Sequence, residues 1–247
     1  SLSFLAVNSA ADDDGTWTYS LSGDKASVTG CVETCSTELV TPATIDGYSV
    51  TSIGEEAFAV NALTSVIIPD SVTSIGEWAF NYNLITSVTI GNRVSSIGEY
   101  AFYNNQLTSV IIPDSVIFLS GFPANQLTSV TIPDSVTSIG YDAFFGNQLT
   151  SVTIGNSVIS IGEAAFGSNR LTSVTIPDSV IFLSGFQGNQ LTSVTIPDSV
   201  TSIGDFAFYN NLLTSVLFLG ERPEIVEDSF ANNPLEIVDY CTGKDGW

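Results

Sequence analysis

The chain has no histidine and no methionine, and only five of its 247 residues are Lys or Arg. Without histidine, a Ser or Cys nucleophile lacks the usual neighbouring base. Five basic residues against 26 acidic ones leave a formal charge of -21. Such a surface repels nucleic acid and anionic lipid, both of which need clustered Lys or Arg to release their counterions. Cysteine is sparse as well. Three Cys and no His do not supply the four ligands of a structural zinc site, so no metal is expected there. No run of 18 apolar residues occurs, which excludes a transmembrane helix. Hydrophobic residues are nonetheless 44% of the chain, enough for a sizeable core and too many for disorder.

The N-terminal "SLSFLAVNSA" is apolar through Val7 and then small and polar. It reads as the remnant of a secretory leader over residues 1–10, with an ordinary hydrophobic strand as the alternative. Cys31 and Cys35 stand four apart in "CVETC" and are a candidate disulfide in an oxidising compartment, while Cys241 has no evident mate.

What fills the rest is repetition. "LTSVTIPDS" stands at 127–135, 171–179 and 191–199, and starts of this kind fall at Leu63, Ile85, Leu107, Leu127, Leu149, Leu171, Leu191, Leu213 and, degenerately, Leu235. The intervals run 22, 22, 20, 22, 22, 20, 22 and 22, so a 64-residue cassette is itself repeated. Periods of this length mark a solenoid, in which each coil buries its apolar side only against its neighbours. In residues 191–212, Leu191, Val194 and Ile196 are spaced for a short strand that sends alternate side chains inward. Pro197 removes a backbone donor and ends it. Val200 and Ile203 point inward from a second extended stretch, Gly204 permits the next bend, and Ala207 and Phe208 close the interior with room for one helical turn.

Asn61, Asn83, Asn105, Asn125, Asn147, Asn169, Asn189, Asn211 and Asn233 each stand two places before a repeat start. Nine in register require one shared cause. An inward amide can satisfy both stranded N–H and C=O groups, and the expected ladder also bonds each Asn to the next.

"LTSVTIPDSVTSIGDFAF" resembles the bacterial leucine-rich repeats of the BspA-like or Treponema pallidum type, whose pattern is L-x-x-L-x-I-P-x-x-V-x-x-I-G-x-x-A-F. The entry segment "TPATIDGYSVTSIGEEAF" at 41–58 resembles the way such arrays begin. The chain departs where that family often has Cys in the turn, using Asn instead. The resemblance implies a leucine-rich repeat solenoid, a right-handed α/β horseshoe or superhelix, mostly β with short 3-10 or helical turns. It also implies a secreted or cell-surface bacterial protein that binds other macromolecules and is not an enzyme. Around a solenoid at 39–234, a hairpin over 11–38 and a patternless segment at 235–247 are expected to cap raw ends that would otherwise expose core and strand edges.

Two repeats, 107–126 and 171–190, are two residues short and replace Thr-Ser by Ile117-Phe118 and Ile181-Phe182. These pairs are either tucked under neighbouring loops or exposed as apolar anchors. Outward positions of the first strand make a Ser column and a second column that includes Thr89, Thr131, Thr153, Thr175 and Thr195. That nearly uncharged face is either plain β-propensity on a solvated surface or a binding surface of the kind horseshoe repeats present. Acids recur after the Pro and after the Gly of most repeats, and calcium, ice or a carboxylate-based hydrolase are the weaker readings. The expectation is a monomeric, exported, cofactor-free scaffold that takes a protein or polysaccharide, and no nucleic acid, on its strand face.

Overall fold

In the computed structural model, which describes residues 10–240, the chain winds as a β-solenoid. One sheet runs from Ala10 to Ile225. Ala10–Ala11 pairs antiparallel with Trp17–Ser22, which forms a hairpin with Lys25–Cys31. Lys25–Cys31 then lies parallel to Tyr48–Ile53, and from there every coil adds a parallel two-residue strand. These are Ser74–Ile75, Ser96–Ile97, Phe118–Leu119, Ser138–Ile139, Ser160–Ile161, Phe182–Leu183, Ser202–Ile203 and Glu224–Ile225. The continuous ladder therefore runs through the second extended stretch of each repeat. The face from which binding was expected belongs to the first stretch.

The hairpin is tied to the array at several points. Trp17 meets Phe58 edge to face, and the Tyr19 hydroxyl donates to Asp46 at 2.8 Å. That hydrogen bond, more than any other influence, pushes the phenol up to about 12. Cys31 and Cys35 form a disulfide. The leader remnant, apart from Ala10, and Cys241 lie outside the described residues.

Inside the coils, Phe58, Phe80, Phe102, Phe122, Phe144, Phe166, Phe186, Phe208 and Phe230 form one file. Successive ring centroids are 5.1 to 5.7 Å apart and the planes lie within 18° of parallel. Burying such a ring contributes about 3 kcal/mol, and each ring pair adds roughly 1 kcal/mol. The file passes through the short coils without a break, because Phe122 and Phe186 keep their place although their coils have lost two residues.

Two expectations are corrected. No helical turn forms at the Ala-Phe corner, and the described residues contain no helix. The corner is a pair of hydrogen-bonded turns, with Ala57 N–H donating to Gly54 C=O and Ala59 N–H to Glu56 C=O. Glu56, Trp78, Tyr100, Asp142, Ala164 and Phe206 there have φ of 51 to 56°, a left-handed geometry that interrupts any helix. The second correction concerns the amides. Neighbouring Asn side chains of the ladder do not bond one another. Each Oδ1 from Asn83 to Asn233 accepts the N–H of its own repeat's first residue at 2.9 to 3.1 Å, 18 or 20 residues earlier. Each Nδ2 donates to the preceding coil's Phe carbonyl at 2.8 to 2.9 Å. The ladder is a backbone clamp. A side chain reaching a neighbour's main chain satisfies groups that an Asn-to-Asn chain would leave stranded.

Candidate functional site

The first strand of each repeat alternates in burial, its Val inward and its Ser and Thr outward, as period-two geometry requires. Thr89, Thr131, Thr153, Thr175 and Thr195 are all exposed. They do not share one sheet. Glu38–Val40, Ser65–Ile67 and Ser87–Thr89 form one small parallel sheet. Ser129–Thr131 and Ser151–Thr153 form a second. Ser193–Ile196, Ser215–Phe218 and Ile237–Tyr240 form a third. The structure sets Thr131 beside Thr153, Thr89 beside Ile67 and Thr195 beside Leu217. Thr175 lies in no strand at all.

Both interruptions fall on the 20-residue coils, at residues 109–111 and 173–175. Phe file, Asn clamp and continuous sheet stay in register there, so the first strand is the part that gives way. Val66, Val130 and Val194 are buried, whereas Val88, Val110, Val152 and Val174 are only partly so. Between residues 109–114 and 129–135 the parted coils leave a cleft of about 610 Å³. Ile111 is 85% exposed at its rim. A second cleft of about 430 Å³ adjoins the Cys31–Cys35 loop.

Phe118 and Phe182 lie on the continuous sheet, with Ile117 and Ile181 immediately before its strands, one corner away from the Thr residues. Phe118 stands in register between Ser96 and Ser138, and Phe182 between Ser160 and Ser202. The Phe118 ring rests over Gly140 and the Phe182 ring over Gly204, where a Cβ would come within 3.0 Å of the ring tip. The rings are thus half covered, while Ile117 and Ile181 remain about half exposed. Ile159 joins them, since Ile181 N–H donates to its carbonyl and its side chain is 47% exposed. Sequence reasoning passed over Ile159, although "SVISIG" against the common "SVTSIG" carried the signal.

A second group was also missed. Trp78 and Tyr100 occupy the same place in successive coils and stack at 4.2 Å, with Tyr103 edge-on to both and Tyr82 edge-on to Tyr103. The Tyr100 hydroxyl donates to Asp142 at 3.0 Å, reaching across the short coil between them. Burial first, and that hydrogen bond second, push the Tyr100 phenol well above its usual value. Burial likewise raises the Asp142 carboxyl; the Tyr100 bond opposes this, and Glu163 and Glu99 add to it.

Two of the acids after the Pro serve the turns. Asp70 and Asp134 each accept the main-chain N–H of the Asn one coil on, Asn92 and Asn156, at 2.7 Å. Gly91 and Gly155 make that approach possible. A Cβ on either would lie 2.5 Å from the carbonyl oxygen of Pro69 or Pro133. Among the described residues, no group of three or more His, Cys, Asp or Glu side chains comes together to hold a metal.

Stacked coils of 20 or 22 residues, inward Leu, Val, Ile and Phe files and an amide clamp define a leucine-rich repeat solenoid. The BspA type leucine rich repeat pattern matches in six copies over residues 35–122 and 117–237, and the chain belongs to that family. A leucine-rich repeat protein from Bacteroides ovatus shares the fold, with a TM-score of 0.63 and 24% identity over 91% of this chain and 70% of the other. One from Eubacterium ventriosum does so at a TM-score of 0.53 and 21% identity, over 91% and 82%. No curated protein matches the chain in sequence.

Proposed function

We propose that the chain is an exported, monomeric scaffold that captures a protein or polysaccharide partner on its first-strand face and performs no catalysis. The observation that carries this reading is the face itself. Exposed Ser and Thr side chains, nearly free of charge, are presented by three small parallel sheets on an otherwise strongly acidic molecule. Rigid presentation lowers the ordering cost of binding. The Cys31–Cys35 disulfide supports export, because such bonds persist in oxidising compartments. Ile117, Ile159, Ile181 and Phe182 supply apolar area around the corner, where contact can extend.

The test is a pull-down from extracellular matrix proteins and glycan arrays with the intact chain and with Thr131→Lys/Thr153→Lys. The double substitution is expected to abolish capture and leave the melting curve nearly unchanged. A loss of capture no larger than that from Lys substitutions at Thr73 and Thr137, which immediately precede the Ser74–Ile75 and Ser138–Ile139 strands, rejects the face.

A further inference from the structure

The cleft at the first short coil is a missing rung in a parallel ladder. Resting on the proposed binding face, we propose that its occupant is an extended polypeptide segment of the partner, added as a β-strand along the free edge of Ser129–Thr131.

The main-chain geometry carries the argument. In a strand, successive N–H and C=O groups point to opposite sides. Ile132 N–H donates to Thr153 C=O at 2.8 Å, so the main-chain groups of Ser129 and Thr131 face the other way, into the cleft. Among the described residues, nothing on that side hydrogen-bonds to them. On the facing wall, Ser109, Val110, Ile111 and Ile112 belong to no strand and make no main-chain hydrogen bond to a neighbouring coil. Unpaired main-chain groups at the regular spacing of a strand are complementary to another strand, whose own groups repeat at the same interval; sugar hydroxyls do not repeat that way.

The usual protections of an exposed edge are absent. Natural sheets blunt free edges with Lys, Pro, bulges or covering loops, and this edge offers Ser, Val and Thr up to the Pro133 corner. A strand added here takes the parallel direction of every other pair on this face. Its C-terminal end then arrives beside Asp114 and Asp134, both of which line the cleft, so the recognised segment carries β-branched residues followed by Lys or Arg. The ladder is interrupted the same way one cassette later, at residues 173–175 beside Ser193–Ile196, which gives a second site with the same free edge.

The experiment uses the isotope-labelled intact chain and an acetylated Thr-Val-Thr-Val-Thr-Lys-Lys peptide. Hydrogen exchange at the Ser129 and Thr131 amides is expected to slow at least tenfold at saturation, while the Val130 amide, already bonded to the next coil, changes little. A peptide N-methylated at alternate residues, and one with the two Lys moved to the N-terminal end, are expected to bind at least tenfold more weakly. Thr131→Pro, which deletes an N–H facing the cleft, is expected to do the same to the parent peptide. Equal binding of the N-methylated peptide, or protection confined to other residues, overturns strand addition without reference to any variant's folding. If the double Lys substitution abolishes capture of a matrix or glycan partner while no peptide slows exchange, the face stands and strand addition falls. If neither effect appears, both fall.

Discussion

Asn147→Ala removes one rung of the amide clamp at the middle of the array. Its Oδ1 is the acceptor for the Leu127 N–H at 3.0 Å, and its Nδ2 donates to the carbonyls of Phe122 at 2.9 Å and Phe144 at 3.1 Å. The two carbonyls retain other donors, since Asn125 also serves Phe122 and Asn169 also serves Phe144. The Leu127 N–H retains none, and Leu127 is fully buried. Leaving that donor unpaired costs about 1–3 kcal/mol, and losing two hydrogen bonds to still-paired carbonyls costs about 1 kcal/mol each. The substitution should therefore destabilise by about 3–5 kcal/mol in urea unfolding. Asn61→Ala is the internal control. Asn61 is half-buried, and its side-chain amide donates to Ala59 C=O and to no earlier coil among the described residues, so about 1 kcal/mol is expected. Because solenoid coils couple mainly to neighbours, Asn147→Ala should also broaden or split the transition. A loss below about 1 kcal/mol, or one equal to the Asn61 variant's, would refute the clamp as the source of register.

The other predictions concern packing and charge. Gly155→Ala should cost about 1–3 kcal/mol, because the new methyl meets main chain at Pro133 that cannot swing aside; a melting temperature equal to wild type would show that the two turns are not pressed together. For Asp142, the folded-state carboxyl is raised above its unfolded value. The folded chain then binds more protons in that interval, and stability falls as pH rises through it. Asp142→Asn, which can still accept the Tyr100 hydrogen bond, should be the more stable form at neutral pH, with its advantage vanishing below the unfolded carboxylate range; an advantage that grew on acidification would contradict the assignment. Salt should raise the melting temperature from its low-salt value, since a formal charge of -21 repels itself and is screened within a Debye length of about 10 Å at 0.1 M. A salt-independent melt would count against that.

Legibility from sequence followed repetition. Phe at one place and Asn at another recur in nearly every coil, and only an inward file explains a letter kept in register for nine turns. The two extended stretches were harder to rank. "SVT" and "TSI" are both β-branched and both alternate, and the strands involved are two to four residues long, so propensity could not say which ladder would run unbroken. The tyrosine bridge to Asp142 was hidden for another reason. Its partners are 42 residues apart and meet only because the short coil between them leaves the corner vacant.

The amino-acid order was sufficient to establish the period, the inward files, the corner positions and the membership that follows from them, because each is a local constraint repeated many times. Packing alone determined which face would open. A coil two residues short must break somewhere, and with the rings stacked, the amides bonded and the Ser-Ile strands paired, the first strand was held least tightly by its neighbours. The free edge and its cleft arise from that competition between coils, and no single repeat contains it.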